Sequence, residues 1–118
     1  MQMDIEFYRS YCIGKQGVTE EFPFDKNTLV FKVCGKMFSL LDVDSFDSVN
    51  LKCDPERAVQ LREKYPAVIP GYHMNKVHWN TVKLDGSISD HLILEWTDDS
   101  YELVFNSLPK SIKKSLEI

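Results

Sequence analysis

Apolar positions along the chain fall into blocks of two different periods, and the blocks predict the elements. Between Asp4 and Ile13 the residues Ile5, Tyr8, Tyr11 and Cys12 recur at i, i+3, i+6 and i+7, the stripe of a first helix. Gly14 follows where a left-handed cap would stop it. Gln16 to Asn27 reads as a loop or an irregular edge, and the alternation of Phe22 and Phe24 across Pro23 allows a short edge strand there, the one place a strand tolerates proline. From Thr28 to Cys34 the period becomes two, with Leu29, Phe31 and Val33 on one face. Gly35-Lys36 supplies a tight turn, and Met37 to Val43 returns as the antiparallel partner. Val49 to Lys52 is a short third strand after the turn residues Asp42, Asp44, Ser45 and Asp47.

The second half is punctuated more strongly. Asp54-Pro55-Glu56 opens a helix: Asp54 caps the free amides, Pro55 has the fixed φ of a first helical position, and Glu56 complements the macrodipole. It runs to about Tyr65 with Ala58, Leu61 and Tyr65 inward, and Pro66 ends it. Pro70-Gly71 fits the centre of a type II turn, which needs positive φ at the glycine. Val77 to Leu84 reads as the fourth strand, closed by Asp85-Gly86. A helix starts at Ser89-Asp90 and reaches about Trp96, where Thr97-Asp98-Asp99 breaks the period. Another helix carries Tyr101, Val104, Phe105 and Leu108, and after Pro109 a last basic helix spans Lys110 to Leu116.

Length and composition add bounds. A chain of 118 residues is one domain, 1–118, with apolar residues at 43% and only five glycines and five prolines. Cys12, Cys34 and Cys53 are three in number, without a C-x-x-C pair, so free thiols are expected and neither a disulfide framework nor a zinc knuckle. The start, Met-Gln-Met-Asp-Ile-Glu, lacks the basic and apolar regions of a signal peptide, and no apolar run spans a bilayer. The expected setting is a reducing cytoplasm, with no membrane partner. A net charge of −4 argues against a dedicated non-specific nucleic-acid binder, so any nucleic-acid contact must be local, weak and salt-dependent.

Charge is also distributed unevenly. Lys64 to Leu84 holds three lysines and no acidic residue, leaving 11 of the 14 basic side chains to face all 18 acidic ones elsewhere. Within this segment Trp79, Thr81 and Lys83 share one face of the fourth strand, and His78, Asn80, Val82 and Leu84 the other. With Val82 and Leu84 inward, Trp79 stands beside lysines on the outer face, suited to base stacking; the alternative is that Trp79 belongs to the core. His73 and His78 are spaced five apart around a turn without a third ligand, so no metal is expected, and hydrogen bonds to the backbone are their commoner fate. Lys76 reads either as an anion contact or as a solvated side chain. Asp42 and Asp44 allow a divalent cation or ordinary turn chemistry. Ser87 and His91 lack an acidic third member and a nucleophile elbow, and no glycine-rich phosphate loop occurs. No catalytic residue and no cofactor are expected.

Tyr65-Pro66, the run Pro70-Gly71-Tyr72-His73-Met74-Asn75-Lys76 and the block His78-Trp79-Asn80-Thr81-Val82 resemble the signature of the MmcQ/YjbR family. Asp98 to Leu103 and Leu108-Pro109-Lys110 match its C-terminal end. The resemblance covers essentially the whole chain. It implies an α+β domain of the CyaY/frataxin-like kind, a mainly antiparallel sheet of about four strands with helices packed on one face. It also implies DNA binding without catalysis, to which Lys76, His78, Trp79 and Asn80 would contribute, joined by Lys83 on the strand and by Lys110, Lys113 and Lys114. A second expectation is a small-molecule, anion or protein-binding regulatory domain, with Tyr72, His73 and Trp79 lining a pocket. The first requires the lysines on one face; the second requires a concavity beside the 71–78 loop.

Overall fold

The alternation of Leu29, Phe31 and Val33 becomes the middle of the protein. In the computed structural model, which describes residues 3–72 and 74–116, the order is α1 (Ile5–Ile13), β1 (Val18–Glu21), β2 (Thr28–Val33), β3 (Lys36–Asp42), β4 (Ser48–Lys52), α2 (Pro55–Lys64), β5 (Val68–Pro70), β6 (Trp79–Lys83), α3 (Asp90–Asn106) and α4 (Lys110–Leu116). The strands form one sheet in the order β1-β2-β3-β4-β6-β5, antiparallel at every step. Leu29, Phe31, Phe38, Val49, Leu51 and Val82 of the sheet meet Tyr8 and Cys12 of α1 and Ile93, Trp96 and Val104 of α3 in one core. Leu61 of α2 and Tyr65, which caps it, pack against the same cluster, so these three helices share a face. Among the described residues no helix is long and apolar enough to cross a membrane.

The sheet has six strands, not about four. Both additions are edges whose patterns are too short to register. β1 reads Val-Thr-Glu-Glu, within the stretch read as loop or irregular edge, and it ends before Phe22-Pro23-Phe24, which takes the loop alternative. β5 is three residues long and finishes on Pro70, whose missing N–H an edge accommodates. β6 begins at Trp79, two residues later than its periodicity indicates. α3 is a single helix of 17 residues where a break is expected at Thr97-Asp98-Asp99. Its polar residues are absorbed instead: Thr97 Oγ1 donates to the Ile93 carbonyl at 2.9 Å and meets Tyr8 Oη at 3.0 Å.

Local chemistry explains the turns. Asp54 caps α2 by accepting from the Arg57 amide at 3.4 Å. The β2–β3 turn is Cys34-Gly35, one residue earlier than expected, with φ of 49° and 87° at its two positions, the type I′ requirement. Gly14 ends α1 with φ −66°, a right-handed value, and the left-handed conformation falls on Gly17 at 79°. Gly71 does not take positive φ, so the type II turn is not made. Its glycine answers a different need, because a Cβ there would lie 2.8 Å from Trp79 Cβ and 2.9 Å from the Trp79 carbonyl oxygen.

Between Phe31 and Lys32 the β2–β3 register shifts, leaving Phe38 as the extra residue of a bulge. Both Phe38 and Ser39 thereby serve the helical side: Phe38 joins the core, and Ser39 Oγ lies 2.8 Å from Tyr8 Oη. Burial pushes the Tyr8 hydroxyl well above its usual range and the Cys12 thiol up to about 12. Both groups stay protonated in the folded chain after the unfolded chain would have released their protons. Stability should therefore fall as pH rises from the ordinary thiol value of 9.0 toward about 12. Cys12→Ala should flatten that fall by about one proton in urea denaturations across this range. An unchanged slope would show that the thiol does not contribute.

Candidate functional site

Directly paired residues of an antiparallel ladder share a face. Val30 opposes Leu40, Leu40 opposes Asn50, Asn50 opposes Thr81 and Thr81 opposes Ile69, one row across five strands on the side away from the helices. Toward one end of the sheet the neighbouring row contains Lys32 opposite Met37 and Lys52 opposite Trp79. Toward the other end lie Thr28 opposite Asp42 and Ser48 opposite Lys83. Val30, Leu40 and Trp79 form a second, smaller buried cluster here, with Met37 and Met74 against it.

Trp79 is thus on the helix-free face, as the alternation of β6 places it, but the ring is only 7% exposed. Met74 is brought over it by the loop of residues 71–78, which is tied down by Gly71 N donating to the Trp79 carbonyl at 2.9 Å and by Trp79 N donating to Asn75 O at 2.9 Å. Asn80 points to the helical side and is 2% exposed. Its amide oxygen accepts from Arg62 Nη1 at 2.8 Å, and its Nδ2 donates to the Ala58 carbonyl at 3.3 Å. Of the five candidate nucleic-acid contacts, then, Lys76, His78 and Lys83 are exposed, whereas Trp79 and Asn80 are not.

Nor are the lysines gathered on one face. Lys76 precedes β6 and donates to the Gly71 carbonyl at 3.1 Å, while Lys83 closes the far end of that strand. At a rise of about 3.4 Å per residue, the length of β6 separates the two ends by roughly 14 Å. α4, with Lys110, Lys113 and Lys114, sits at the opposite edge: Gln16 donates to the Leu116 carbonyl, and Leu116 packs on Gly17 just before β1. Four strand spacings, about 19 Å, lie between β1 and β6. His73 lies outside the described residues.

Two concavities occupy the helix-free face. One, of about 630 Å³, has Leu40 and Asn50 in its floor, Tyr72 and Met74 in one wall and Phe24 in the other. Phe24 is 64% and Tyr72 66% exposed. The acidic residues on its rim are engaged in turns. Asp25 Oδ1 accepts from the Asn27 and Thr28 amides, which holds its carboxyl below the usual range. Asp42 Oδ1 accepts from the amides of Asp44 and Ser45, so Asp42-Val43-Asp44-Ser45 is turn chemistry. Ser87 likewise donates to Asp85.

The other cleft, of about 460 Å³, is lined by Lys32, Lys36 and Lys52 with Met37 and Trp79, and Phe24 borders it too. Its lysines come from three strands and were not among the candidates read from the sequence, because the pairing of Lys52 with Trp79 appears only once β4 and β6 are neighbours. A third cavity, of about 120 Å³, lies on the helical side among Leu51, Leu61, Trp96 and Leu103, beneath an Arg57–Asp99 ion pair of 3.3 Å. It is too small for a drug-sized ligand. Cys12, Cys34 and Cys53 are free thiols. Among the described residues no three His, Cys, Asp or Glu side chains come together to hold a metal ion.

Comparison with known proteins gives a consistent picture. The profile of the YjbR family matches residues 13–103. The protein YjbR of Escherichia coli K12 is 36% identical over 115 residues, covering 97% of this chain and 98% of the relative. YbdF of Escherichia coli O157:H7 is 38% identical over 94 residues, with 79% and 77% covered. A crystal structure of a Deinococcus radiodurans protein with a DUF419 domain superimposes with a TM-score of 0.91 at 38% identity, covering 100% of this chain and 93% of that one. A Pseudomonas syringae crystal structure follows with a TM-score of 0.73 at 29% identity, covering 86% and 99%.

Proposed function

The chain belongs to the YjbR family, and from that premise we propose that it is a non-enzymatic binding module whose helix-free sheet face receives a small molecule. One observation carries this: a sheet face left without helices holds a concavity of about 630 Å³ between two exposed aromatic side chains on different loops. That volume falls within the range of about 300–1,000 Å³ usual for small-molecule sites. The 71–78 loop serves as a pocket wall through Tyr72 and Met74, and Trp79 supports that wall from beneath. A binding role fits the groups present. The rim carboxylates of Asp25 and Asp42 accept backbone amides and hold turns together.

The expected outcome of an NMR screen with small, singly charged aromatic compounds is a set of shifted amides at Leu40, Asn50, Tyr72 and Met74. Tyr72→Ala should weaken such a ligand about tenfold by removing one stacking wall. DNA binding through exposed Lys76 and Lys83 is the competing outcome. It would appear in fluorescence anisotropy as oligonucleotide affinity falling with salt, at a slope of about −0.9 per phosphate neutralised. Oligonucleotide binding lost in Lys76→Ala and Lys83→Ala, without any small-molecule shifts at the trough, would overturn the proposal.

A further inference from the structure

The sheet is not closed at its lysine end. β3 and β4 are paired from Leu41 with Val49 to Ser39 with Leu51, and then they part. Where the next ladder bond would fall, Ser100 of α3 inserts its hydroxyl: Oγ accepts from Lys52 N at 2.9 Å and donates to the Phe38 carbonyl at 2.6 Å. The cleft beside this seam is lined also by Val104 of α3 and by Ser107, the cap that follows it.

We infer that this cleft is an anion subsite, resting on the ligand face proposed above, and that it takes the phosphate or carboxylate end of an aromatic or aliphatic small molecule. Lysines from three strands, Lys32, Lys36 and Lys52, line it. Lys32 is shared with Glu21 at 3.4 Å, but among the described residues Lys36 and Lys52 enter no ion pair. Lysine binds phosphate and carboxylate as a mobile point charge, so either head group is accepted. Met37 and the edge of Trp79 give the apolar body of the ligand something to lie on. Phe24 borders both concavities, so the cleft adjoins the neighbouring trough. At the far end Asp25, Asp42 and Asp47 repel an anion, so the ligand has one favoured direction: charge at Lys36 and Lys52, body toward Met74.

The test is a titration of the full chain with phenyl phosphate, benzoate and inorganic phosphate at low ionic strength, followed by amide and indole NMR signals. Phenyl phosphate should produce saturable shifts at the Trp79 indole and at the Lys52 and Ser107 amides. It should bind more tightly than inorganic phosphate, and its rank against benzoate identifies the preferred head group. Lys36→Met and Lys52→Met keep the aliphatic stem and should each weaken binding about tenfold, whereas Lys83→Met should not. Shifts that never saturate, or that spread equally to Lys83 and Lys110, would mean diffuse surface charge and overturn the inference. So would affinity unchanged in the Lys36→Met/Lys52→Met double variant, or binding of single-stranded oligonucleotide without binding of phenyl phosphate. Shifts at Trp79 while Tyr72 and Met74 stay still would sink the trough and leave this subsite standing. Shifts at Tyr72 and Met74 alone would do the reverse.

Discussion

Truncating Trp79 to alanine should cost about 3–5 kcal/mol of folding stability, the usual range for a buried aromatic ring. The ring is 7% exposed, and with Val30 and Leu40 it makes up the buried part of the second cluster. Its removal takes away the surface on which Met37 and Met74 rest. It also loosens the 71–78 loop, since Met74 of that loop packs against the cluster the ring belongs to. Urea denaturation measures the first effect, and faster amide exchange at Gly71 and Met74 measures the second. A loss below about 1 kcal/mol would show that the ring is dispensable to the fold and free to act as a stacking platform, for which truncation typically costs about 1–3 kcal/mol of binding per base. On the structure described here, a loss of any ligand in this variant would report the collapsed wall before it reported a lost contact.

Ser100→Ala is expected to cost about 2–4 kcal/mol. The hydroxyl is wholly buried and satisfies two backbone groups at once, the Lys52 N–H and the Phe38 C=O. Each orphaned group costs about 1–3 kcal/mol, and the Lys52 amide, being only partly buried, recovers some of that from water. Amide exchange at Lys52 should accelerate while that of Leu51, one ladder position away, changes little. Ser115, whose hydroxyl bonds an exposed carbonyl in α4, provides the control: its alanine variant should stay within about 0.5 kcal/mol of the parent. Equal effects at the two serines would show that the seam between β3 and β4 is closed by other means.

What could be read from the sequence was local. The β2–β3 hairpin, the Asp54 cap, the basic helix at Lys110–Leu116 and the assignment of Trp79, Thr81 and Lys83 to one face all follow from residues within a few positions of each other. What could not be read depended on distant partners. Thr97 looks like part of a helix break until Tyr8, 89 residues away, is seen to meet its hydroxyl, and nothing near Ser100 in sequence points to the Phe38 carbonyl, 62 residues away, that receives it. Trp79 looks equally suited to solvent and core until Val30 and Leu40 are placed beneath it. The lysine cleft is the clearest case, because Lys32, Lys36 and Lys52 are unremarkable singly. Only strand order brings them together, while the basic residues that are close in sequence, Lys76 and Lys83, are held apart by the length of β6. Family resemblance supplied the fold class and left the two edges of the sheet to be found.

Those edges govern how the molecule behaves in a crowd. β1 offers four residues, two of them glutamates held by Arg9 and Lys32, and β5 offers three, the last a proline. Neither presents a long unpaired row of amides and carbonyls, the template on which a second sheet would grow. Copies of the chain that collide edge to edge find nothing to continue, and a concentrated solution should stay free of strand-mediated fibres.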